Sequence, residues 1–562
     1  MYRLSISVSI VTFVSILLYA SLIKDATSFA TPGSISARGA TGHDRLPVSV
    51  DDLKKIKTLN GAKIRYKEPS ICETTPGVRS FSGYIDLDED RHVFFWFFES
   101  RKSPETDPVT LWLNGGPGAD SLIGLYQELG PCNVSKDLIS HLNPYSWTEE
   151  SNFLFLSQPL GAGFSYAKKG PGSINEWTGS YQDPSIAEVE GRFAIIDPSK
   201  YDTTDRAAVV AWEALQAFYG ALPQLDAKVT SREFNLWTES YGGHYGPSFF
   251  RHFQKMNRKI KEGMSDGIPL SFGSLGIGNG VIDEYIQAAY YAEFAVNNTY
   301  GIKAYNDSIY ENAVYNYNRP NGCEVQIGYC RSVDPDDFAR HAVCSAAQNM
   351  CRDNVEAMYY YYSGRGIYDI RHPQNDTEPP YYYVDYLNKA DVQYALGVDL
   401  NYTSSNYMIY NAFQQSGDMV YRTFIKDLGE ILDSGVRVVL YYGDADYICN
   451  WYGGQAVSLA VNYTHDALFR SAGYVPFLVD GVEYGEVREA GNFTFLRIYE
   501  AGHAVPYYQP KASLEMFRRS LLGLDMAEGT QKVTPTLTTK GNATATHTET
   551  FYALATTDTT VL

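Results

Sequence analysis

Long apolar runs alternate with amphipathic stretches over the middle of the chain. SFSGYIDL (80–87), HVFFWFFES (92–100), VTLWLNGG (109–116), NFLFLSQP (152–159), EFNLWTES (233–240), GSLGIGNG (273–280), VRVVLYYGD (436–444) and NFTFLRIYE (492–500) read as strands. Several are almost unbroken, the pattern of strands buried on both faces of a sheet. TTDRAAVVAWEALQAFYGALP (203–223) has a Thr/Asp start, an apolar stripe and a closing Gly and Pro, and predicts a helix. YGPSFFRHFQKMNRKI (245–260) predicts another, directly after a serine. Strands alternating with helices place the chain in the α/β class, with a mostly parallel central sheet flanked by helices. The alternation stops between about 284 and 430, where Tyr, Asn and Asp abound and Cys323, Cys330, Cys344 and Cys351 cluster. That segment reads as an inserted cap, stapled by disulfides, between two sheet strands.

The two ends carry other patterns. A short basic start (MYR), an uncharged run from Leu4 to Ile23 and small residues after it (ATSFA, 26–30) predict a secretory signal peptide over 1–30. Residues 31–60 are Gly/Ser-rich and then charged, as a linker or pro-segment would be. The hydrolase-like pattern occupies 61–525, and 526–562 is a threonine-rich stretch expected to be a disordered tail. No second apolar run approaches membrane length, so no stable membrane insertion is expected once the signal is removed.

Composition narrows the partners. A formal charge of −19 and a pI near 5.0 exclude a nucleic-acid role, because phosphate binding needs a basic face. The one basic stretch, 251–263, reads as the solvated face of a helix. Seven cysteines fit an oxidising compartment. A nested pattern, Cys323 with Cys351 and Cys330 with Cys344, is geometrically natural and leaves Cys72 free to pair with Cys132 and Cys449 as the odd thiol. Sequence alone leaves the other connectivities open. Sequons begin at Asn133, Asn297, Asn306, Asn375, Asn401, Asn462, Asn492 and Asn542, so N-linked glycans are expected.

The candidate chemistry begins at TESYG (238–242), which has the form of a strand–turn–helix nucleophile elbow around Ser240, with Thr238 where a glycine is usual. Two later strands end in acid-base residues: GDAD puts Asp444 and Asp446 after one, and EAGH puts His503 after another. Ser, then Asp, then His is the chain order of α/β-hydrolase triads. The adjacent glycines of LNGGPG (113–118) suit backbone N–H groups converging on an oxyanion. There is no HExxH, no clustered Cys/His metal pattern and no phosphate loop, so no metal or cofactor is expected.

LWLNGGPG, ELGP, NPYSW with QPLGAGFSY, TESYGGHYGP, GIGNG, GDADYICNW and AGHAVPYYQP, with ICETTPGVRSFSGY (71–84) before them, occur in one order over about residues 70–520. Together they resemble the serine carboxypeptidase family (peptidase family S10), and within it the fungal carboxypeptidase S1-type enzymes. The resemblance implies the α/β-hydrolase fold with a cap. It implies Ser240 as nucleophile, His503 as general base and Asp446 as orienting acid, with Asp444 structural. It places the backbone N–H groups of Gly116 and Tyr241 in the oxyanion hole. Asn114, Gly115, Glu128 and Glu239 match positions that bind the substrate's C-terminal carboxylate, and Trp112 supports them. Cys449 matches a free cysteine lining the pocket for the departing residue.

Two glutamates can bind a carboxylate only if a proton is shared, since three buried negative charges repel. The neutral member donates, and rising pH removes its proton, so the expected activity is release of C-terminal residues favoured in acid. The implied substrates are peptides or proteins with a free C-terminus, and the implied location is secreted, with the vacuole as alternative. Two other readings stand beside it: an acyltransferase using the same triad, and a hydrolase-like adhesion module. The chain departs from the family at Ala119, where a cysteine is common, and at Ala504, where methionine usually follows the histidine. Residues 168–200 are longer than the family norm.

Overall fold

The computed structural model describes residues 46–550, apart from 48–49, 59–60, 176 and 336. The signal peptide expected over 1–30, the first part of the expected linker and residues 551–562 lie outside the described residues.

Twelve strands form one sheet: β1 (Lys54–Lys57), β2 (Lys63–Lys67), β3 (Ser80–Asp86), β4 (His92–Phe98), β5 (Val109–Leu113), β8 (Asn152–Leu156), β12 (Glu233–Glu239), β13 (Ser271–Gly278), β14 (Arg437–Gly443), β15 (Val475–Val479), β16 (Val482–Ala490) and β17 (Phe493–Ile498). Their spatial order is β1-β2-β3-β4-β8-β5-β12-β13-β14-β17-β16-β15. The centre, β8-β5-β12-β13-β14-β17, is parallel. Both margins are antiparallel. Parallel strands need long crossovers, and the helices that supply them cover both faces. Every residue of β5, β8, β14 and β17 is buried, as is every residue of β12 after Glu233, which explains their long apolar runs.

The helix predicted at 203–223 runs from Thr204 to Leu225, capped by the Thr203 side chain, which accepts from the Arg206 N–H. The second begins at Gly242, immediately after the elbow, and ends at Lys261. Its Phe249, Phe250 and Phe253 face the sheet while Lys255, Arg258 and Lys261 stay in solvent. Behind the strand ends lies an aromatic core. Trp147 stacks on Phe517 (4.4 Å) and meets Trp237 (5.1 Å) and Trp112 (5.9 Å) edge-on. Such pairs contribute about 0.5–1.5 kcal/mol each beyond area burial, and these fix the β5 and β12 ends that carry the site.

Between β13 and β14 the chain is helical. Disulfides Cys323–Cys351 and Cys330–Cys344 staple helices Cys323–Ser332 and Arg340–Cys351 together, and Cys72–Cys132 closes a third bridge. Cys449 is free and buried. Part of this stretch is sheet cover rather than cap: Leu387, Val392 and Leu396 join the core around Trp96. β6 (Cys132–Val134) and β7 (Ser140–Leu142) form a separate hairpin, and the long 168–200 loop contains a small antiparallel sheet, β9 (Lys168–Ile174), β10 (Tyr181–Gln182) and β11 (Gly191–Ile195).

Two expectations need correction. The end of the supposed linker is a sheet-edge strand, β1, paired with β2. The threonine-rich stretch is ordered as far as Glu549. Thr538 bridges to Ala490 and Asn542 to Tyr474, so the chain lies along the β15–β16 margin. Farther on, the His547 ring stacks on Tyr499 (3.6 Å), and its carbonyl accepts from the buried Arg497 guanidinium (2.8 Å). Backbone pairing of this kind asks nothing of side-chain hydrophobicity, and composition did not reveal it.

Candidate active site

The sequence after β12 must turn sharply, and the backbone shows where. Ser240 has φ 65°, a left-handed conformation costly for a residue with a Cβ. Its carbonyl accepts from the Gly243 and Val281 N–H groups (2.9 and 3.0 Å) and its N–H reaches Gly278 (3.0 Å), which over-determine the turn. A Cβ on Gly243 would sit 2.3 Å from the Val281 oxygen, so only glycine fits there. Thr238 holds the place of the usual glycine because its hydroxyl donates to the Gly242 carbonyl (2.9 Å). The half-buried Ser240 hydroxyl makes no hydrogen bond among the described residues and stays open to a substrate.

His503 and Asp446 meet across the ends of β17 and β14. His503 Nδ1 lies 2.7 Å from Asp446 Oδ2, which directs Nε2 away from the carboxylate. The His503 N–H is tied to the Tyr368 carbonyl (2.8 Å), and the Tyr368 ring packs against the imidazole (4.9 Å). Asp446 is fully buried. Burial raises its pKa; His503 and Asn279 oppose that without cancelling it. Asp444 points elsewhere, accepting from the Tyr300 hydroxyl (2.6 Å) and facing Arg497 (3.5 Å).

Asn279 is the residue that sequence reasoning missed, although GIGNG is among the matching motifs. At φ 41° it leaves β13 with its amide turned toward β14. Its Nδ2 donates to Asp446 Oδ2 (2.8 Å), its Oδ1 accepts from Gly443 (3.0 Å), and its own N–H donates to Tyr441 (2.8 Å). One buried side chain thereby ties β13 to β14 and holds the carboxylate that faces the histidine.

Beside the serine, the loop after β5 closes on the elbow. A Cβ on Gly115 would fall 2.3 Å from the Tyr241 nitrogen, so the two backbones touch. Gly116 has φ 103° and precedes a cis proline. The N–H groups of Gly116 and Tyr241 have no acceptor among the described residues. Asp120 and Ala119 carry no disulfide here; the loop is held by backbone pairing with 404–406, through Asp120 to Ser404 (2.8 Å) and Asn406 to Gly118 (2.9 Å).

Asn114, Glu128 and Glu239 cluster in the space between. Asn114 Nδ2 lies 3.3 Å from Glu239 and 3.5 Å from Glu128, and its Oδ1 is fixed by the Trp112 indole and the Gly124 N–H (both 2.8 Å). A Cβ on Gly124 would overlap the Trp112 indole at 2.1 Å. Both glutamates are 5% exposed, and Oε2 of each is buried with no donor other than the neighbouring carboxyl when that is protonated. Burial pushes Glu239 well above 4.5, and the Glu128 charge adds to it; burial raises Glu128 as well. Burial thus favours the neutral form of both carboxyls, and their mutual repulsion disfavours ionising the two together. The two buried carboxyls thus lie beside an amide donor, with Glu239 next in sequence to the half-buried Ser240.

A family model described as "Serine carboxypeptidase" matches residues 69–523. The chain belongs to the serine carboxypeptidase family. It is 38% identical over 552 residues to carboxypeptidase S1 homolog A of Arthroderma otae, covering 91% of this chain and 84% of the relative. It is 37% identical over 455 residues to carboxypeptidase S1 of Penicillium janthinellum, covering 81% of this chain and 97% of that enzyme. The crystal structure of Kex1(delta)p, a prohormone-processing carboxypeptidase from Saccharomyces cerevisiae, superposes with a TM-score of 0.61 at 21% identity. It covers 84% of this chain and 95% of its own, and shows the shared α/β-hydrolase fold. The chain is a serine-type carboxypeptidase, a hydrolase of peptides.

Within this serine carboxypeptidase, Cys449 lies near His503 and Asp446: its sulfur, an Asp446 oxygen and a His503 nitrogen fall within 4.8 Å of one another. Burial, then Asp446, raises the thiol pKa well above the ordinary range, so it is a neutral thiol. The His503–Asp446 hydrogen bond already occupies the other two groups.

Proposed function

We propose that the enzyme releases C-terminal residues through an acyl-enzyme on Ser240 and works best in acid. His503 Nε2 takes the Ser240 proton as Oγ attacks the scissile carbonyl. Asp446, steadied by Asn279, holds the imidazole orientation and stabilises the imidazolium. The free N–H groups of Gly116 and Tyr241 receive the developing oxyanion. The imidazolium then protonates the departing amine, and water repeats the sequence to free the acyl group.

The single observation that carries the exopeptidase reading is the buried Asn114–Glu128–Glu239 set beside Ser240. With one glutamate neutral, it offers Nδ2 and a carboxyl proton to a terminal carboxylate, and Gly115 allows the close approach. Above the raised Glu239 pKa the donor is lost and binding weakens, so activity declines as pH rises. Cys449 walls the pocket for a side chain next to the cut bond.

Three disulfides support passage through an oxidising compartment, with secretion as the first destination and the vacuole as the alternative. Among the described residues no helix is long and apolar enough to cross a membrane. Exposed Asn133, Asn297, Asn306, Asn375, Asn462 and Asn542 suit glycosylation, whereas Asn492 spends its amide on the Leu432 and Val436 carbonyls. Labelling with a fluorophosphonate tests the nucleophile: one adduct at Ser240, absent in Ser240→Ala, is expected. An adduct that persists in Ser240→Ala would overturn the assignment.

A further inference from the structure

The family match ends at residue 523, yet the chain continues along the sheet, and its last described stretch returns toward the turn that carries Asp446. Residues 538–542 pair with the β15–β16 margin. From there the chain runs over Arg497, a β17 side chain only 1% exposed. A buried guanidinium is costly unless its N–H groups meet oxygens. Arg497 makes two short bonds among the described residues, to Thr299 Oγ1 (2.9 Å) and to the His547 carbonyl (2.8 Å). Asp444 and Glu486 face it from farther off, at 3.5 and 3.6 Å, and its Nε is buried without a partner. The C-terminal segment therefore supplies one of the two short bonds of this cation, while Trp451 (4.2 Å) and Tyr499 (5.4 Å) offer it their rings.

The same segment grips Thr299. The Glu549 N–H donates to the Thr299 carbonyl (2.7 Å), and the Thr299 hydroxyl donates in turn to the Asp444 carbonyl (3.4 Å). Two further N–H groups, of Thr546 and His547, donate to Glu486 (3.3 and 2.9 Å), which keeps the segment seated over Arg497. Asp444 is thus reached by two routes, through Arg497 to its carboxylate and through Thr299 to its backbone. It is fully buried and opens the turn after β14. Its N–H donates to Ile498 (2.9 Å) and the Ala445 N–H to Ala501 (2.8 Å). The next residue is Asp446, 2.7 Å from His503. Residues 538–542 already occupy the open backbone of the margin, so edge cover leaves the contacts of 546–549 unexplained.

We propose that residues 546–549 are a positioning element of the active site: with Arg497, Thr299 and Asp444 they fix the turn that presents Asp446 to His503. The inference rests on the carboxypeptidase reading and makes turnover depend on residues beyond the family match. None of them touches substrate or the reacting atoms. They act through Asp444, which lies two residues from the triad acid. Releasing the segment frees an Arg497 N–H and the Thr299 carbonyl together, and the turn loses the clamp that sets Asp446 against the imidazole.

The test compares the full-length enzyme with a variant ending at Ala543 and with Glu549→Pro, which removes the N–H that Thr299 accepts. The truncation keeps the pairing of Thr538 and Asn542 and loses the contacts to Arg497, Thr299 and Glu486. Measurements are kcat and KM for a blocked dipeptide well below the melting midpoint, per site titrated with a fluorophosphonate, so that unfolded enzyme is not counted. The truncated enzyme should lose about tenfold in kcat and Glu549→Pro about threefold, with KM within about twofold, inside the hundredfold that about 1 Å of misplacement can cost. A segment with only a structural role would lower the melting midpoint and the titrated fraction and leave kcat per site intact in both variants. That result, or a change confined to KM, overturns the inference alone. Where the truncated chain gives no titratable site, Glu549→Pro decides by the same criteria. Failure of the unmodified enzyme to cleave the dipeptide would refute the carboxypeptidase reading itself.

Discussion

Replacing Asn279 with alanine removes one buried amide that joins three groups. Its Nδ2 bond to Asp446 (2.8 Å) is a hydrogen bond to a charged acceptor, worth about 1.5–3 kcal/mol. Asn279 is one of the groups that pull the Asp446 pKa down against burial, so its loss raises that pKa further. The ionised carboxylate is the form that stabilises the imidazolium, and in the variant it disappears at a higher pH. The assay is kcat and KM of a blocked dipeptide across the acid-to-neutral range, normalised by fluorophosphonate titration. Asn279→Ala should lower kcat by about tenfold or more, with KM little changed, and the deficit should be larger near pH 5 than near pH 7. The Gly443 N–H also loses its acceptor, so some thermal stability goes as well. A fall in the melting midpoint with kcat intact, or a deficit of the same size at both pH values, would refute the reasoning.

Glu239→Gln keeps a donor but cannot titrate, so KM for a free-acid peptide should lose its rise with pH; a KM–pH curve matching the unmodified enzyme would contradict this. Folding stability follows the same group: Glu239 binds its proton more tightly folded than unfolded, so its contribution is complete below about 4.5 and declines as pH rises through the raised folded value, which thermal melts across pH will show. Gly115→Ala places a Cβ 2.3 Å from the Tyr241 nitrogen and should cost about a hundredfold in kcat, the scale of one displaced oxyanion donor, read by steady-state kinetics. Deleting residues 533–562 strips the Arg497 contact to His547 and the Glu486 contacts to the Thr546 and His547 N–H groups (3.3 and 2.9 Å), and should lower stability by about 2–4 kcal/mol in a denaturant titration.

The legible parts of the fold were those whose burial leaves a mark on composition. β5, β8, β12 and β14 are covered on both faces over almost their whole length and are therefore largely apolar. The margins left no such mark. β1 and β2, KKIK and KIRYK, bury alternate residues of short, charged edge strands, and β16 carries Glu, Arg and Gly in its run. The threonine-rich strap is held by backbone and guanidinium contacts that any small polar residue permits. In the site, elbow and strand-end patterns pointed to Ser240, His503 and a choice between Asp444 and Asp446, and only the family resemblance singled out Asp446. Asn279 acts only because a left-handed φ turns it from β13 toward β14, a relation no local pattern encodes.

The central claim is that Ser240 acts beside a carboxylate receptor that works when one glutamate is protonated. The direct measurement is kcat/KM against pH for a blocked dipeptide with a free terminal acid and for the same dipeptide as its amide. The free acid should be cleaved far faster in acid and lose that advantage as pH rises, converging on the amide. Equal turnover and equal pH dependence for the two would contradict the account.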